Sequence, residues 1–220
     1  MAPSNTRSFK NAAYTHLAEV GKALASGTRL EILELLVQAP RTVEVLAGEV
    51  DQSVANTSHH LQALKRAQLV KSQRDGLHVL YTIAGEDVAI LLAQLQRVAS
   101  HHVAALERLS RDYFADHDGL EPIHQDVLLE RLRDGDVVLV DVRPDHEYSA
   151  GHLPGALSIP LSELEERLGE LPSGQTIVAY CRGPFCALSA DAAHRLRELG
   201  YDAHRTDASV ASLRLNEGAP

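Results

Sequence analysis

No stretch of this chain runs for about 18 apolar residues, so no transmembrane helix is expected and no membrane partner with it. The opening residues, Met1-Ala2-Pro3-Ser4-Asn5-Thr6-Arg7, lack the apolar core of a signal peptide. Tryptophan is absent, and the 220 residues hold two cysteines. Two cysteines without a leader predict a reducing cytoplasm, where such a pair is more often catalytic or redox-sensing than structural. Both fall in one stretch, Cys181-Arg182-Gly183-Pro184-Phe185-Cys186. It follows an apolar run, 176–180, that reads as a buried strand, and precedes a helical pattern over 187–199. A thiol between a strand end and a helix N-terminus meets free backbone N–H groups and the positive end of the helix dipole, and both favour the thiolate.

Positive charge is also scarce. The net charge of −9 argues, taken alone, against nucleic acid, but its distribution reverses that reading. Residues 1–100 carry ten Lys/Arg against nine Asp/Glu, so the remaining residues hold a net of about −10. All four lysines lie in the first half. A near-neutral half with a local basic stripe is compatible with DNA binding beside an acidic half of different purpose. The length suits two domains.

In the first half, Leu17, Val20, Leu24, Leu30, Leu33 and Leu36 give an apolar helical face over 11–38, interrupted at Ser26-Gly27-Thr28. Thr28 with Glu31 predicts a capping box. The helix should end by Ala39-Pro40. A short helix from Thr42 and a third, capped by Ser53 and running over 54–67, read as helix-turn-helix, with Leu61 and Leu64 toward the core. Asp75-Gly76 between alternating runs predicts a hairpin, which after a recognition helix is a wing. Arg74 and His78 flank its tip, where a phosphate would lie. A long amphipathic helix is expected from Glu86 to about Asp116, its length favouring use as a dimer interface.

The segments 24–33 and 53–64 with the wing resemble the ArsR-type winged-helix repressors over residues 12–98. The resemblance implies a homodimer on a palindromic operator in double-stranded DNA, released by an inducer. Carried over, Ser53, Asn56, Ser58, His59 and Gln62 would present to the major groove or its phosphates. Metal-sensing members use acidic and His ligands on the last helix. Here His102 and Asp116 match, but Ser100 and Tyr113 stand where the other ligands are needed, and half a site binds zinc poorly. The His59-His60 pair cannot share one helix face. No metal and no cofactor are expected.

In the second half, 125–133 reads as a helix and Val137 to Asp141 as a strand buried on both faces. A helix from Pro144, a short strand at 157–159, a helix at 161–168, the strand 176–180, the helix 187–199 and an edge strand at 203–205 follow. This alternation predicts an α/β domain with a mostly parallel sheet, whose sites form at the carboxyl ends of strands. Residues 115–122 read as a linker.

Val140-Asp141-Val142-Arg143, Glu147-Tyr148, the run 151–160 and the Cys181 loop resemble rhodanese (sulfurtransferase) domains. The resemblance implies that Cys181 takes a sulfane sulfur as a persulfide and hands it to a thiol. Backbone N–H groups of a loop formed by Gly183, Pro184, Phe185 and Ala187 would cradle the anionic sulfur, with Arg182 adding positive charge. Asp141, Arg143, Glu147 and His152 are expected to hold the fold by buried polar contacts. Thiosulfate-using members place Arg, Lys, Thr or Ser where this loop has Pro184, Phe185 and Cys186, and the phosphatase relatives need an Arg where Ala187 stands. What this loop has instead is a second thiol, the arrangement of a redox sensor.

Together these readings predict two domains, a mainly α winged helix-turn-helix over 1–116 and an α/β rhodanese-like domain over 123–220, joined at 117–122. The expected function is a homodimeric repressor that senses a sulfane-sulfur donor or an oxidant through Cys181 and Cys186. An active sulfurtransferase with a regulatory DNA-binding domain, and plain disulfide sensing of peroxide or an oxyanion, remain open alternatives.

Overall fold

A computed structural model describes residues 5–117, 122–172 and 174–212. The chain divides into two compact units between Leu92 and Ala93. The segment expected as a linker, 117–122, lies for the most part outside the described residues. Among the described residues no helix is long and apolar enough to cross a membrane.

The first unit holds α1 (Asn5–Leu24), α2 (Gly27–Gln38), α3 (Val43–Glu49), α4 (Val54–Arg66), an antiparallel hairpin of β1 (Val70–Asp75) and β2 (His78–Ile83), and the first turns of α5 (Glu86–His102). Its core is built from Ile32, Leu33, Leu36, Leu46, Leu61 and Leu64, all essentially inaccessible to water. The capping box expected at Thr28 does not form. Helix α2 starts earlier, with Ser26 at the N-cap and no side-chain cap bond, which leaves Thr28 inside the first turn. The junction is held by Arg29 instead. Its guanidinium donates to the carbonyls of Ala23 (2.5 Å) and Lys22 (2.8 Å) in the last turn of α1.

Arg41 ties the hairpin to the helices. Its backbone N–H and C=O pair with Tyr81 of β2. Its buried side chain donates to Glu49 at 2.6 Å, to Ala39 O and to Leu35 O. Asp75 pairs with His78, so the two loop residues are Gly76 and Leu77 rather than Asp75 and Gly76. Gly76 has φ +59°, the left-handed conformation that a two-residue hairpin turn demands.

The second unit contains the rest of α5, then α6 (Ala104–His117), α7 (Gln125–Asp134), β3 (Val137–Asp141), α8 (Asp145–Ala150), β4 (Leu157–Ser158), β5 (Thr176–Tyr180), α9 (Leu188–Glu198) and β6 (Ala203–Arg205). The four strands form one parallel sheet in the order β4-β3-β5-β6. Alternate residues of β5 supply its two faces. Ile177 and Ala179 pack with Val140, Ala192 and Leu196, while Val178 and Tyr180 pack with Leu139 and Leu128. Burial on both faces is why β3 and β5 read as unbroken apolar runs.

Two expected helices are corrected. The single long helix from Glu86 is interrupted at Val103, whose carbonyl accepts from Leu106 N–H (2.8 Å) and Glu107 N–H (3.2 Å) and so opens α6 anew. No Pro or Gly marks the break; a β-branched residue crowds the preceding turn, but that preference is weak. Residues 161–168 form no α-helix. Short 3-10 turns at Leu161–Glu163 and Leu168–Glu170 replace it, closed by bonds such as Glu163 N–H to Pro160 O at 2.8 Å. No side chain caps the first turn, and its bonds close at three-residue spacing instead of four.

Candidate functional site

The first candidate surface is α4 and the hairpin. Ser53 adopts an extended N-cap conformation and its Oγ accepts from Asn56 N–H at 3.2 Å, so this hydroxyl starts the helix. Asn56, His59 and Gln62 are exposed at three-residue spacing, and Asn56 Nδ2 donates to Gln52 Oε1 at 2.6 Å. Ser58 is half-buried, between the buried Thr57 and the exposed His59. Arg74 and His78 are exposed on either side of the hairpin tip, where Leu77 is 94% exposed. Exposed Lys65, Arg66 and Lys71 add positive charge that the sequence reading did not single out, and Lys65 Nζ reaches Ser72 Oγ at 2.6 Å to join α4 to β1. The signal was there, since lysine is confined to this half of the chain.

The second candidate is the loop from β5 to α9. Cys181 leaves the carboxyl end of β5 at the centre of the parallel sheet and is 2% exposed, while Cys186 is partly exposed; neither is in a disulfide. Gly183 has φ +156° and is buried, a conformation that side-chain-bearing residues rarely adopt. Pro184 and Ala187 are half-buried, and Phe185 stands at the exposed crest. The Cys181 sulfur lies 3.3 Å from Ser189 Oγ and 3.4 Å from the Cys186 carbonyl.

These contacts set the protonation of the pair. Burial opposes ionisation of Cys181 most strongly, but hydrogen bonds from the Cys186 thiol, the Ser189 hydroxyl and the N–H groups of Ser189 and Gly183 outweigh it, and the Cys181 pKa falls to about 7. The N–H of Ser189 is one of the open donors of the first turn of α9. Cys186 moves the opposite way. Its hydrogen bond to Cys181 and its own burial hold its proton. The two thiols are thus shifted in opposite directions, Cys181 toward the thiolate and Cys186 toward the thiol.

Arg182 does not serve the loop as expected. Its guanidinium turns to the fully buried Glu147 of α8, with Nη2 2.6 Å and Nε 3.1 Å from Glu147 Oε1. The Arg182 charge is thereby neutralised by a buried carboxylate rather than directed at the sulfur. Asp141 and Arg143 form a second buried pair, at 2.5 Å. His152 departs from the expected buried role. It is exposed, stacked on Tyr148 at 3.8 Å between centroids.

A cavity of about 400 Å³ opens beside the loop crest, lined by Pro184, Phe185, Arg111, Phe114 and Arg205 among others. Phe114 of α6 is buried, and the Arg205 guanidinium lies 3.8 Å from its ring centroid. Among the described residues no three His, Cys, Asp or Glu side chains converge as a metal site. The side chain of Asp116 lies outside the described residues.

Three helices with a wing, followed by a parallel sheet that presents a cysteine at a strand end, define a DNA-binding regulator joined to a rhodanese-like domain. Residues 26–72 match the family model of bacterial regulatory proteins of the arsR family, and residues 124–212 match that of the rhodanese-like domain. The HTH-type transcriptional regulator Rv0324 of Mycobacterium tuberculosis (strain ATCC 25618 / H37Rv) is 44% identical over 216 residues, which cover 96% of this chain and 95% of that protein. The chain belongs to the ArsR family of DNA-binding transcriptional regulators, in the form that carries a C-terminal rhodanese-like domain. A protein named sulfurtransferase from Allochromatium vinosum is 38% identical over 80 residues, covering 36% of this chain and 73% of that protein. The solution structure of the homodimeric winged helix-turn-helix domain of Mb0332 from Mycobacterium bovis is 47% identical and covers 46% of this chain and 93% of that one, with a TM-score of 0.43.

Proposed function

We propose that this regulator is a homodimeric repressor that releases its operator when reactive sulfur modifies Cys181 and Cys186. Residues 1–116 serve DNA binding and dimerisation, and residues 123–220 serve sensing. The observation that carries the reading is that both cysteines are free thiols in one loop at the carboxyl end of β5, with the Cys181 sulfur 3.3 Å from Ser189 Oγ and 3.4 Å from the Cys186 carbonyl, an arrangement that lowers the Cys181 pKa and raises that of Cys186. The chemistry follows from it. The Cys181 thiolate attacks the outer sulfur of a low-molecular-weight persulfide, R–S–SH. A bond forms from Cys181 Sγ to that sulfur, the R–S–S bond breaks, and RS⁻ leaves with the electron pair. The Cys186 thiol protonates RS⁻. The resulting Cys186 thiolate attacks Cys181 Sγ, closing a disulfide and expelling hydrosulfide. Without the second step, Cys181 keeps the sulfur as a persulfide.

The loop has a route to the rest of the chain. Phe185 and Pro184 line the same cavity as Phe114 and Arg111 of α6, and α6 directly follows α5. Displacing the crest biases α6, and a coupling of about 1–3 kcal/mol is enough for a regulatory response. On the DNA side, Asn56, His59 and Gln62 face the major groove, with Ser53 and Ser58 at the edges of that row and Arg74 and His78 on flanking phosphates.

The test is affinity for DNA upstream of the protein's own gene, before and after a persulfide donor, with intact mass read on the same samples. Affinity should fall at least about tenfold, equivalent to about 1.4 kcal/mol, as mass increases by sulfur or decreases by two hydrogens. Cys181→Ser should bind DNA as the wild type does and ignore the donor. Mass change without affinity change, with continuous transfer of sulfur to a thiol, would overturn sensing in favour of a sulfurtransferase.

A further inference from the structure

We infer that Ser189, in the first turn of α9, is a catalytic hydroxyl at Cys181, the side-chain donor that keeps the attacking sulfur anionic while it waits for its substrate. The inference rests on reading Cys181 as the sulfur acceptor. It starts from an asymmetry among the groups around Cys181 Sγ. The Cys186 carbonyl, at 3.4 Å, can only accept, so it favours the protonated thiol. The Ser189 hydroxyl, at 3.3 Å, can do either. Against the thiol it accepts; against the thiolate it rotates and donates. It is therefore the group that can follow a change of charge at the sulfur without any movement of the chain.

The position of Ser189 makes this rotation count. The residue is buried, and so is Cys181, so no bulk water is at hand to solvate the anion. Ser189 lies in the first turn of α9, and its backbone N–H joins its hydroxyl on the same sulfur. The other donors have different fates. Gly183 offers a backbone N–H that no side chain controls, and the Cys186 thiol gives up its proton during the reaction. The Ser189 hydroxyl alone among these side-chain donors survives the whole sequence unchanged. In the first step, attack of the Cys181 thiolate on R–S–SH spends the anion: the electron pair forms the new S–S bond and RS⁻ carries the charge away. Ser189 transfers no proton in this step. It sets the fraction of Cys181 that is ready to attack.

A buried hydroxyl in a helix's first turn could instead be simple packing. The two are separated by the pH dependence of Cys181 alkylation in the full-length protein, measured with iodoacetamide and read at the Cys181 peptide by mass spectrometry. Wild type should titrate with a midpoint near 7. Ser189→Ala should move the midpoint upward by about one unit, lowering the rate at pH 6 about tenfold, with the high-pH plateau within about twofold of wild type. Ser189→Thr, which keeps the hydroxyl, should restore the midpoint. An unchanged midpoint in Ser189→Ala overturns the inference. So does a shift that Thr does not reverse, which would make shape rather than the hydroxyl responsible. A wild-type protein that is alkylated at Cys181 with this profile but takes no sulfur from a persulfide would sink the sensing reading and leave the role of Ser189 standing.

Discussion

At the scale of single residues, the carboxyl end of β3 carries a buried charged network within its apolar packing. Asp141 and Arg143 are both buried, and Arg143 Nε lies 2.9 Å from Asp141 Oδ1. The Tyr180 hydroxyl donates to Asp141 Oδ2 at 2.5 Å and accepts from Leu153 N–H at 3.0 Å, and Arg143 Nη2 donates to Gly151 O at 2.9 Å. Burial and the neighbouring Asp141 carboxylate raise the Tyr180 pKa well above its usual range, so the hydroxyl stays a donor. One network thus joins the ends of β3 and β5 to the segment before β4, one residue short of Cys181. Removing the carboxylate strands a buried guanidinium. Asp141→Ala should cost about 3–5 kcal/mol, and Tyr180→Phe about 1–2 kcal/mol, both read from urea unfolding of the full chain. A loss under 1 kcal/mol in Asp141→Ala would mean that water reaches Arg143. The thiol pair could be read in the sequence because strand, loop and helix are local. The diversion of Arg182 could not, because its partner Glu147 lies 35 residues away. Ser189 was missed for a related reason. It lies beyond the loop, and only the direction of α9 brings it back to the sulfur.

At the scale of elements, α4 ends in a way that carries a measurable cost. Leu69 N–H reaches back to Leu64 O at 3.0 Å and Gln68 N–H to Lys65 O at 3.0 Å, the paired bonds of a Schellman turn. Gln68 therefore sits at φ +59°, where glycine is the favoured residue. Gln68→Gly should stabilise the protein by about 0.5–1 kcal/mol, seen as a higher urea midpoint with an unchanged slope. A lower midpoint would show that the Gln68 side chain makes a compensating contact. The same turn delivers Leu69 to the core and aims β1 away from α4, so the angle between helix and wing depends on it. Elements with strong local signals were legible: Thr42 and Ser53 cap α3 and α4, and the hairpin lies within a residue of its expected tip. The misses fall where local signals were weak or overridden. Arg29 replaces a capping box, Val103 interrupts an amphipathic pattern that runs on without a break in sequence, and the uncapped residues 161–168 close into 3-10 turns.

At the scale of the whole molecule, the question is what covers the apolar stripe of α5. Leu91, Leu95 and Val98 follow one another at helical spacing and are 40%, 37% and 52% exposed. On α1, Phe9 and Leu17 are also exposed. Isolated exposed apolar residues are ordinary, but a stripe along one helix face marks an association surface. In the proposed homodimer a second copy covers it, and this gives the regulator its second recognition helix. A lone copy engages one half-site; two linked copies gain the effective concentration of the second, about 10²–10⁴ in avidity. The double variant Leu95→Glu/Val98→Glu should therefore sediment as a monomer and bind its operator at least about 100-fold more weakly. Alkylation of Cys181 should keep its wild-type pH midpoint in that variant, because the groups that tune it lie in the loop after β5 and the first turn of α9. A variant that stays dimeric would exclude this stripe as the interface. A monomer whose Cys181 midpoint also moves would show that the loop senses the dimer, and the coupling between thiol and DNA would then run through the interface rather than along α6.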